Sequence, residues 1–217
     1  MQGRWNAVTT KERITEEALT LFAEKGYKGT SVKNIADAVG IKDASLYNHF
    51  RSKQEIFNSI VELILNHISE LSQTLGIPQY DSEDAAVSDF FINLGSDGLK
   101  KITRESFLFY LTDPYISRFW RIAYMEQYSN PQIYNMFRKI FMDDAVAYQE
   151  KLFRQMMEQG VFNQGDPKAA AISFYSPIYL LLSIYSNQPE RKEEALELLD
   201  RQIEEFSRLY QKTEEKV

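Results

Sequence analysis

Apolar residues recur at intervals of three and four along nearly the whole chain, and this spacing is the feature that most limits its fold. It is plain over residues 56–75, and no run of alternating apolar and polar residues accompanies it. Three segments, 113–114, 130–131 and 166–167, place Asp or Asn directly before Pro. That pair starts helices, because proline lacks an N–H and the first helical position needs none. The sequence therefore predicts an all-α protein of about nine helices.

The composition excludes several kinds of functional site. None of the 217 residues is cysteine, which excludes disulfides, thiol nucleophiles and thiolate metal ligands. His49 and His67 are the only histidines, so a metal site built from several histidines is excluded as well. The other titratable residues form no recognised catalytic motif, and the sequence has no glycine-rich phosphate loop. We expect no enzyme activity, no metal and no cofactor.

The longest stretch without a charged residue runs from Ala169 to Pro189. Serine, asparagine and glutamine interrupt it, and its run of strongly apolar residues, Ile178 to Leu182, is short. A membrane-spanning helix needs about 20 predominantly apolar residues. We therefore predict a helix buried on several sides, no membrane partner and a cytoplasmic protein.

Charge is distributed unevenly along the chain. The whole sequence has 25 Lys and Arg against 31 Asp and Glu, a net charge of −6. Residues 1–53 hold nine basic and six acidic residues, a net charge of +3, which leaves −9 for residues 54–217. The long helical pattern also begins near residue 53. We predict two domains, 1–53 and 54–217, and the acidic total does not exclude a nucleic-acid partner for the first.

Residues 31–50 have the pattern of two short helices joined by a tight turn. The first covers Ser31–Val39 and ends at Gly40, which can adopt the left-handed backbone that the turn needs. The second is expected over Ala44–Phe50, with Asp43 as its N-cap. Such a helix-turn-helix is typical of proteins whose second helix enters the DNA major groove.

The residues around this turn add a more specific pattern. They are Gly26-Tyr27, Thr30-Ser31-Val32, Ile35-Ala36, Val39-Gly40-Ile41, Leu46-Tyr47-Asn48-His49-Phe50 and Ser52-Lys53-Gln54-Glu55-Ile56-Phe57. With this spacing, the segment from Thr10 to Ile60 resembles the tetracycline-repressor (TetR) family of bacterial transcription regulators. The resemblance implies a three-helix DNA-binding domain followed by a larger helical domain that binds a ligand and dimerises.

The same resemblance implies a function. It suggests a homodimer that binds a double-stranded, pseudo-palindromic DNA operator and represses transcription until a small, mostly apolar or aromatic effector releases it. The fourth helix, from Lys53 to Leu75, would transmit the effector's signal because it extends into both domains. An alternative keeps DNA binding but replaces the small molecule with a protein partner, as in an architectural or co-regulator protein.

Several residues near the turn are candidates for DNA contacts. Either Thr30 or Ser31 caps the second helix and can bind a phosphate, although capping alone also explains these residues. Lys33 can reach a phosphate or a guanine edge, or it can be a solvated lysine. The full predicted set is Thr30, Ser31, Lys33, Lys42, Ala44, Ser45, Tyr47, Asn48, His49 and Lys53.

Some of these roles come from the resemblance alone. Tyr47 and His49 match family positions that contact phosphate, although His49 can equally be a half-buried, hydrogen-bonded ring. Lys53 matches a phosphate-binding lysine at the start of the fourth helix. Arg4 can add a contact from the N-terminal arm. Asp43 stands where a basic or neutral residue is common, so the base specificity stays open.

Aromatic and methionine residues are concentrated in the second part of the chain. At helical spacing such residues usually form a core. The resemblance instead implies a small-molecule pocket there, and tyrosines suit one because each combines an apolar ring with a single hydroxyl. The predicted ligand-binding residues are Tyr110, Trp120, Tyr124, Tyr128, Phe141, Tyr175 and Tyr179.

The last predicted helix, Glu190–Gln211, carries apolar residues in a heptad-like seam. Packing on its own chain is one explanation. Pairing with the charge-free helix before it in a four-helix bundle across a two-fold axis is the other, and we expect this homodimer. The predicted interface residues are Leu182, Tyr185, Leu196, Leu199, Ile203, Phe206 and Tyr210.

Overall fold

The computed structural model describes residues 9–78, 84–186 and 188–212. Within these ranges the regular structure is helical, with one isolated β-bridge between Phe162 and Gln211, so the predicted all-α fold is confirmed. The described ranges contain ten α-helices, whereas about nine were expected. They are α1 (Thr10–Gly29), α2 (Val32–Val39), α3 (Asp43–Tyr47), α4 (Lys53–Thr74), α5 (Asp84–Thr112), α6 (Pro114–Glu126), α7 (Pro131–Arg138), α8 (Asp144–Glu158), α9 (Pro167–Tyr185) and α10 (Lys192–Tyr210).

The three proline-marked starts are confirmed, since α6, α7 and α9 each begin at the proline. At α9 the Asp166 carboxylate accepts the N–H groups of Lys168 (2.8 Å) and Ala169 (3.2 Å), which fixes the first turn. The helix expected to run on from Pro131 is divided. A π-helical turn, Lys139–Asp143, lies between α7 and α8 and accounts for the extra helix.

The chain forms two compact units, and the first comprises residues up to His67 together with Pro114–Met136. Its core is aromatic. The Tyr27 ring lies 5.1 Å from that of Phe22 and 5.8 Å from that of Phe57, and Phe57 stacks on Phe119 at 6.1 Å. Burial of these rings stabilises the packing of α1, α4 and α6 in this unit.

The second unit comprises Ile68–Asp113 together with residues from Phe137 onward. Its helices α5, α8, α9 and α10 pack on one another, and the ring of Phe206 on α10 is buried among aromatic side chains. That ring lies 5.4 Å from Phe153, 4.9 Å from Phe174 and 4.4 Å from Tyr210. Since α4 and α7 each contribute residues to both units, a domain boundary at residue 53 stays a prediction.

A break in α5 divides it into two helical segments. Gly95 has φ +65° and ψ −173°, a conformation that only glycine adopts readily. No helix in the described ranges has both the length and the apolar character that crossing a membrane requires.

Candidate nucleic-acid interface and effector region

The turn between α2 and α3 is built as the sequence predicts. Gly40 has φ +79° and ψ 34°, and its N–H donates to the Ala36 carbonyl at 3.0 Å, as does the N–H of Ile41. This closes α2 with a left-handed glycine. The Arg13 guanidinium of α1 donates to the Val39 carbonyl at 2.6 Å, which ties the turn to the rest of the unit.

The start of α2 is fixed by a reciprocal pair of hydrogen bonds. The Ser31 hydroxyl accepts the Asn34 N–H at 3.1 Å, and the Asn34 side chain accepts the Ser31 N–H at 2.9 Å. Ser31 is therefore the cap, and both Ser31 and Lys33 are exposed. The structure leaves these two residues available to a phosphate beside the helix N-terminus.

Thr30 does not fit the predicted phosphate contact. Its side chain is buried, and its hydroxyl donates to the carbonyls of Gly26 (3.0 Å) and Leu21 (3.2 Å). The hydroxyl is thus used in holding Thr30 against the C-terminal part of α1. Sequence alone could not separate Thr30 from Ser31, because both are hydroxyl residues that precede α2.

Helix α3 presents most of its predicted contacts to solvent. Leu46 and Phe50 are buried and anchor it, as expected, whereas Tyr47 is 52% exposed. The exposed residues along this segment are Lys42, Asp43, Ala44, Tyr47, Asn48 and His49, and Ser45 is half-buried. The exposed surface of α3 therefore combines hydrogen-bond donors and acceptors suited to base edges and phosphates.

The predicted cap of α3 is wrong by one residue. Lys42 occupies the N-cap with an extended backbone and makes no side-chain cap, and its carbonyl accepts the N–H groups of Ser45 (2.8 Å) and Leu46 (3.1 Å). Asp43 instead lies inside the first turn, where a carboxylate favours the positive end of the helix dipole.

Lys53 is half-buried and has partners within the protein. Its ammonium donates to the carbonyls of Tyr27 (2.8 Å) and Thr30 (3.0 Å) and lies 4.2 Å from the centre of the Tyr27 ring. Burial lowers the pKa of this lysine, and the nearby Glu126 carboxylate partly opposes that change. Lys53 therefore holds the end of α1, and a phosphate contact would have to use its remaining N–H. Arg4, the predicted DNA contact from the N-terminal arm, lies outside the described residues.

The predicted ligand-binding residues do not all belong to one unit. Trp120, Tyr124 and Tyr128 lie in the first unit, and Tyr128 is 91% exposed, so it cannot line a pocket in this conformation. Trp120 is buried, with its ring 6.1 Å from that of Tyr124. Spacing on α6 could not distinguish the buried residue from the exposed ones, because aromatic residues occur on both of its faces.

The other four lie in the second unit, around the π-helical turn. The Tyr175 hydroxyl of α9 donates to the Phe141 carbonyl, and the Tyr110 ring meets the Phe141 ring edge-on at 6.1 Å. The Tyr179 ring lies 6.4 Å from that of Tyr175. We call Tyr110, Phe141, Tyr175 and Tyr179 the tyrosine cluster.

The phenols of Tyr110 and Tyr175 are protonated at neutral pH. Burial raises the pKa of Tyr110 to about 12. Burial also raises the pKa of Tyr175, and the neighbouring Tyr110 and Tyr179 hydroxyls add to that effect. The tyrosine cluster therefore offers neutral hydroxyl groups and apolar ring faces.

The predicted dimer residues face the interior of their own chain. Leu199 is fully buried, Ile203 and Phe206 are 3% exposed, and Tyr210 stacks on Phe206 at 4.4 Å. The same holds for Leu182, Tyr185 and Leu196, which are also buried. The heptad-like seam of α10 thus packs on the chain's own helices, and a contact between these residues and a second copy of the chain stays a prediction.

A different set of apolar residues is exposed on α9. Ile172, Leu180 and Ile184 are 46%, 58% and 45% exposed. Ile172, Ser176, Leu180 and Ile184 follow one another at intervals of four, so they share one face of the helix. We call these four residues the outer face of α9. In the sequence, this additional apolar face was indicated by the absence of charged residues from Ala169 to Pro189.

In the described part of the chain, no three His, Asp or Glu side chains lie close enough together to hold a metal ion.

The N-terminal segment matches known regulators in sequence. Residues 14–60 match the family described as "Bacterial regulatory proteins, tetR family". Over 61 residues the chain is 44% identical to the "Biofilm operon icaADBC HTH-type negative transcriptional regulator IcaR" of Staphylococcus aureus (strain Newman). That alignment covers 28% of this chain and 33% of IcaR, so the chain spans about a third of the length of the curated relatives it matches.

The similarity in fold to solved structures covers nearly the whole chain. The SmeT–triclosan complex superposes with a TM-score of 0.68 at 23% identity, covering 96% of this chain and 94% of SmeT. The "Flavonoid-responsive Regulator FrrA" gives a TM-score of 0.66 at 22% identity, covering 93% and 97%. The family is one of transcription regulators rather than enzymes. The sequence match over residues 14–60 and the shared fold make this chain similar to the TetR family of bacterial regulatory proteins.

Proposed function

We propose that this protein is a dimeric DNA-binding transcriptional repressor that a small uncharged effector releases from its operator. The observation that carries the proposal is the surface formed by α3 and the residues next to it, where Lys42, Tyr47, Asn48 and His49 are exposed while Leu46 and Phe50 are buried and anchor the segment. Side chains of these types read base edges and phosphates in the major groove. IcaR, which is similar over this segment, is described as a negative transcriptional regulator.

Two copies of the chain are needed to read a pseudo-palindromic site. A two-fold dimer places its two recognition helices about one helical turn of DNA apart, roughly 34 Å. The outer face of α9 is our candidate for the contact between copies. Its apolar side chains are exposed in the single chain, and pairing two such faces would remove them from water.

The tyrosine cluster is our candidate for the effector site. Its phenols are neutral, so they suit a ligand without charge that stacks on rings and exchanges one or two hydrogen bonds. The π-helical turn beside it is a departure from α geometry of a kind often found at functional sites. Two proteins of the same fold respond to or bind ligands of this chemistry: SmeT forms a complex with triclosan, and FrrA is a flavonoid-responsive regulator.

Effector binding would act by a population shift. A ligand that binds better to a conformation with wrongly spaced recognition helices favours that conformation and lowers operator affinity. Helices α4 and α7 contribute residues to both units, so they are covalent routes for such a change. We propose that the protein acts in the cytoplasm, where bacterial DNA is accessible to it.

Selection from random double-stranded DNA tests operator binding directly. We expect enrichment of one pseudo-palindromic sequence, and Tyr47→Ala should weaken binding to it about tenfold, since a hydrogen bond to a charged group contributes about 1.5–3 kcal/mol. Tyr124→Ala is the matched control, because Tyr124 is an exposed tyrosine of the same unit that lies outside α2 and α3. A selection that enriches no sequence would show that the proposal is wrong.

Titration of the protein–operator complex with triclosan and with a flavonoid tests the effector site. We expect release of the DNA, and we expect Tyr110→Phe and Tyr175→Phe to require about tenfold more compound without changing operator affinity. Tyr148→Phe is the control, because this half-buried tyrosine of the second unit donates its hydroxyl to the Pro78 carbonyl and does not belong to the tyrosine cluster. Equal responses from all three variants would exclude the tyrosine cluster as the site.

A further inference from the structure

The segment that leads from α1 into α2 departs from helical geometry at Gly26, which has φ +75° and ψ 163°. From there the backbone passes through Tyr27 and Thr30 to Ser31, the cap of α2. Helix α3 follows α2 after a short turn. The conformation of residues 26–30, which we call the α1–α2 bend, therefore sets where the proposed DNA-contacting helices lie.

A buried carboxylate from α6 holds one side of the bend. Glu126, at the last position of α6, is 3% exposed, and its Oε1 accepts the Tyr27 N–H at 2.8 Å. Its Oε2 accepts the Ser129 hydroxyl at 2.6 Å. A Cβ at Gly26 would lie 3.1 Å from Glu126 Oε1. Glycine is thus required there both for its positive φ and for the close approach of the carboxylate.

Lys53 of α4 holds the other side of the bend. Its ammonium donates to the Tyr27 carbonyl and to the Thr30 carbonyl, so the Tyr27 backbone is bound by a carboxylate through its N–H and by an ammonium through its C=O. Charge-assisted bonds of this kind are stronger and more directional than bonds between neutral groups.

A buried charge is a costly way to stabilise a fold. Well-packed apolar residues of similar volume commonly stabilise as much as a buried ion pair, or more. Glu126 reaches residue 27 across 99 positions of the sequence, and it bonds a backbone N–H at a point where α1 has no helical partner for it. These features favour a role in fixing the position of the bend over a role in stability alone.

We propose that Glu126 is a positioning residue that sets the orientation of α2 and α3 by clamping the α1–α2 bend against Lys53, so that a shift of α6 changes DNA affinity. This inference rests on the proposed DNA binding for its regulatory meaning. Its structural part, the restraint of residues 26–50 by a residue of α6, does not depend on DNA.

Amide hydrogen exchange of the full-length protein without DNA tests the restraint. In Glu126→Ala the Tyr27 N–H loses its acceptor, and we expect exchange at least tenfold faster that is confined to residues 26–50. Glu126→Gln keeps an acceptor oxygen and should restore most of the protection. Tyr115→Phe is the control, since it removes another α6–α1 hydrogen bond, to Glu16 at 2.7 Å, that lies away from the bend.

Operator affinity per active molecule is the second measurement. We expect Glu126→Ala to bind about tenfold more weakly with an unchanged salt dependence, because no phosphate contact is removed. The positioning role would be overturned if amide exchange in Glu126→Ala rose equally in all helices. It would also be overturned if the operator affinity and amide exchange of Glu126→Ala equalled those of Tyr115→Phe.

If Glu126→Ala does not fold, Ser129→Ala is measured in its place, since it removes only the second partner of the Glu126 carboxylate. We then expect smaller changes in exchange and affinity, again confined to residues 26–50 and to operator binding. Failure of the wild-type protein to bind DNA would contradict the proposed function, while the exchange data would still decide the role of Glu126.

Discussion

The α2–α3 segment and the last two helices both show clear apolar patterns, yet the pattern predicted the exposed surface correctly in only one of them. Helix α2 has a single apolar face, with Ile35, Ala36 and Val39 buried as expected. Helix α9 is apolar on more than one face, burying Phe174 and Leu182 and exposing Leu180. An amphipathic helix identifies its own buried side, whereas a helix that is apolar all round does not.

The largest effect is expected from a substitution that tests whether the apolar seam of α10 belongs to the core of the chain. Phe206→Ala removes a ring that is 3% exposed and contacts four other aromatic rings, so we expect the free energy of unfolding to fall by about 3–5 kcal/mol. Urea denaturation measures this change. A loss below 1 kcal/mol, accompanied by dissociation of the dimer, would instead support the original assignment of this seam to the interface.

The next effect tests the outer face of α9. Leu180→Glu places a charge on a side chain that is 58% exposed, so the single chain should stay folded while a dimer that buries this face is disrupted. We expect the dimer dissociation constant in analytical ultracentrifugation to rise about 100-fold or more. Leu65→Glu, at a 45% exposed leucine of α4, should leave association unchanged. A Leu180→Glu protein that remains dimeric would exclude this face.

Two lysines sharpen the comparison within the proposed DNA-binding region. Lys33 is exposed, so Lys33→Ala should weaken operator binding a few-fold and reduce the slope of log affinity against log salt by about one. Lys53→Met removes the donor to two carbonyls, so we expect a lower melting temperature. Equal salt slopes for wild type and Lys33→Ala would show that Lys33 contacts no phosphate.

The smallest effect concerns the folding stability of the second unit at alkaline pH. Folding raises the pKa of Tyr110 from 10 to about 12, so between these pH values the unfolded chain releases a proton that the folded chain keeps. Stability should be fully present below pH 10 and fall as the pH rises towards 12. Tyr110→Phe should show a shallower decline in thermal unfolding at these pH values. An identical decline would mean that Tyr110 is not desolvated.

Much of the helix-turn-helix region could be predicted, because its signals act between residues close in sequence. Gly40 needs a left-handed backbone, and Ser31 caps a helix that starts one residue later. Thr30 and Lys53 could not be assigned in the same way. Their partners, the carbonyls at the end of α1, become known only when α1, α2 and α4 are packed together.

The candidate effector residues show the same limit. Tyr110, Phe141 and Tyr175 were chosen for their residue type, and the fold brings them together through a π-helical turn that no spacing rule indicated. Tyr128 has the same residue type but is exposed in the first unit. Residue type supplies the chemistry of a site, and the path of the chain decides which residues share it.

The sequence by itself determined that this protein is helical, where α6, α7 and α9 start and that it carries a helix-turn-helix, because caps, prolines and periodicity act within a few residues. The tertiary structure decided which face of α9 is buried, since more than one of its faces is apolar, and it decided that the single apolar seam of α10 packs on the chain's own helices. It also decided that Glu126 reaches the backbone of Tyr27, 99 residues away, because a buried charge gains its partners only when distant segments meet.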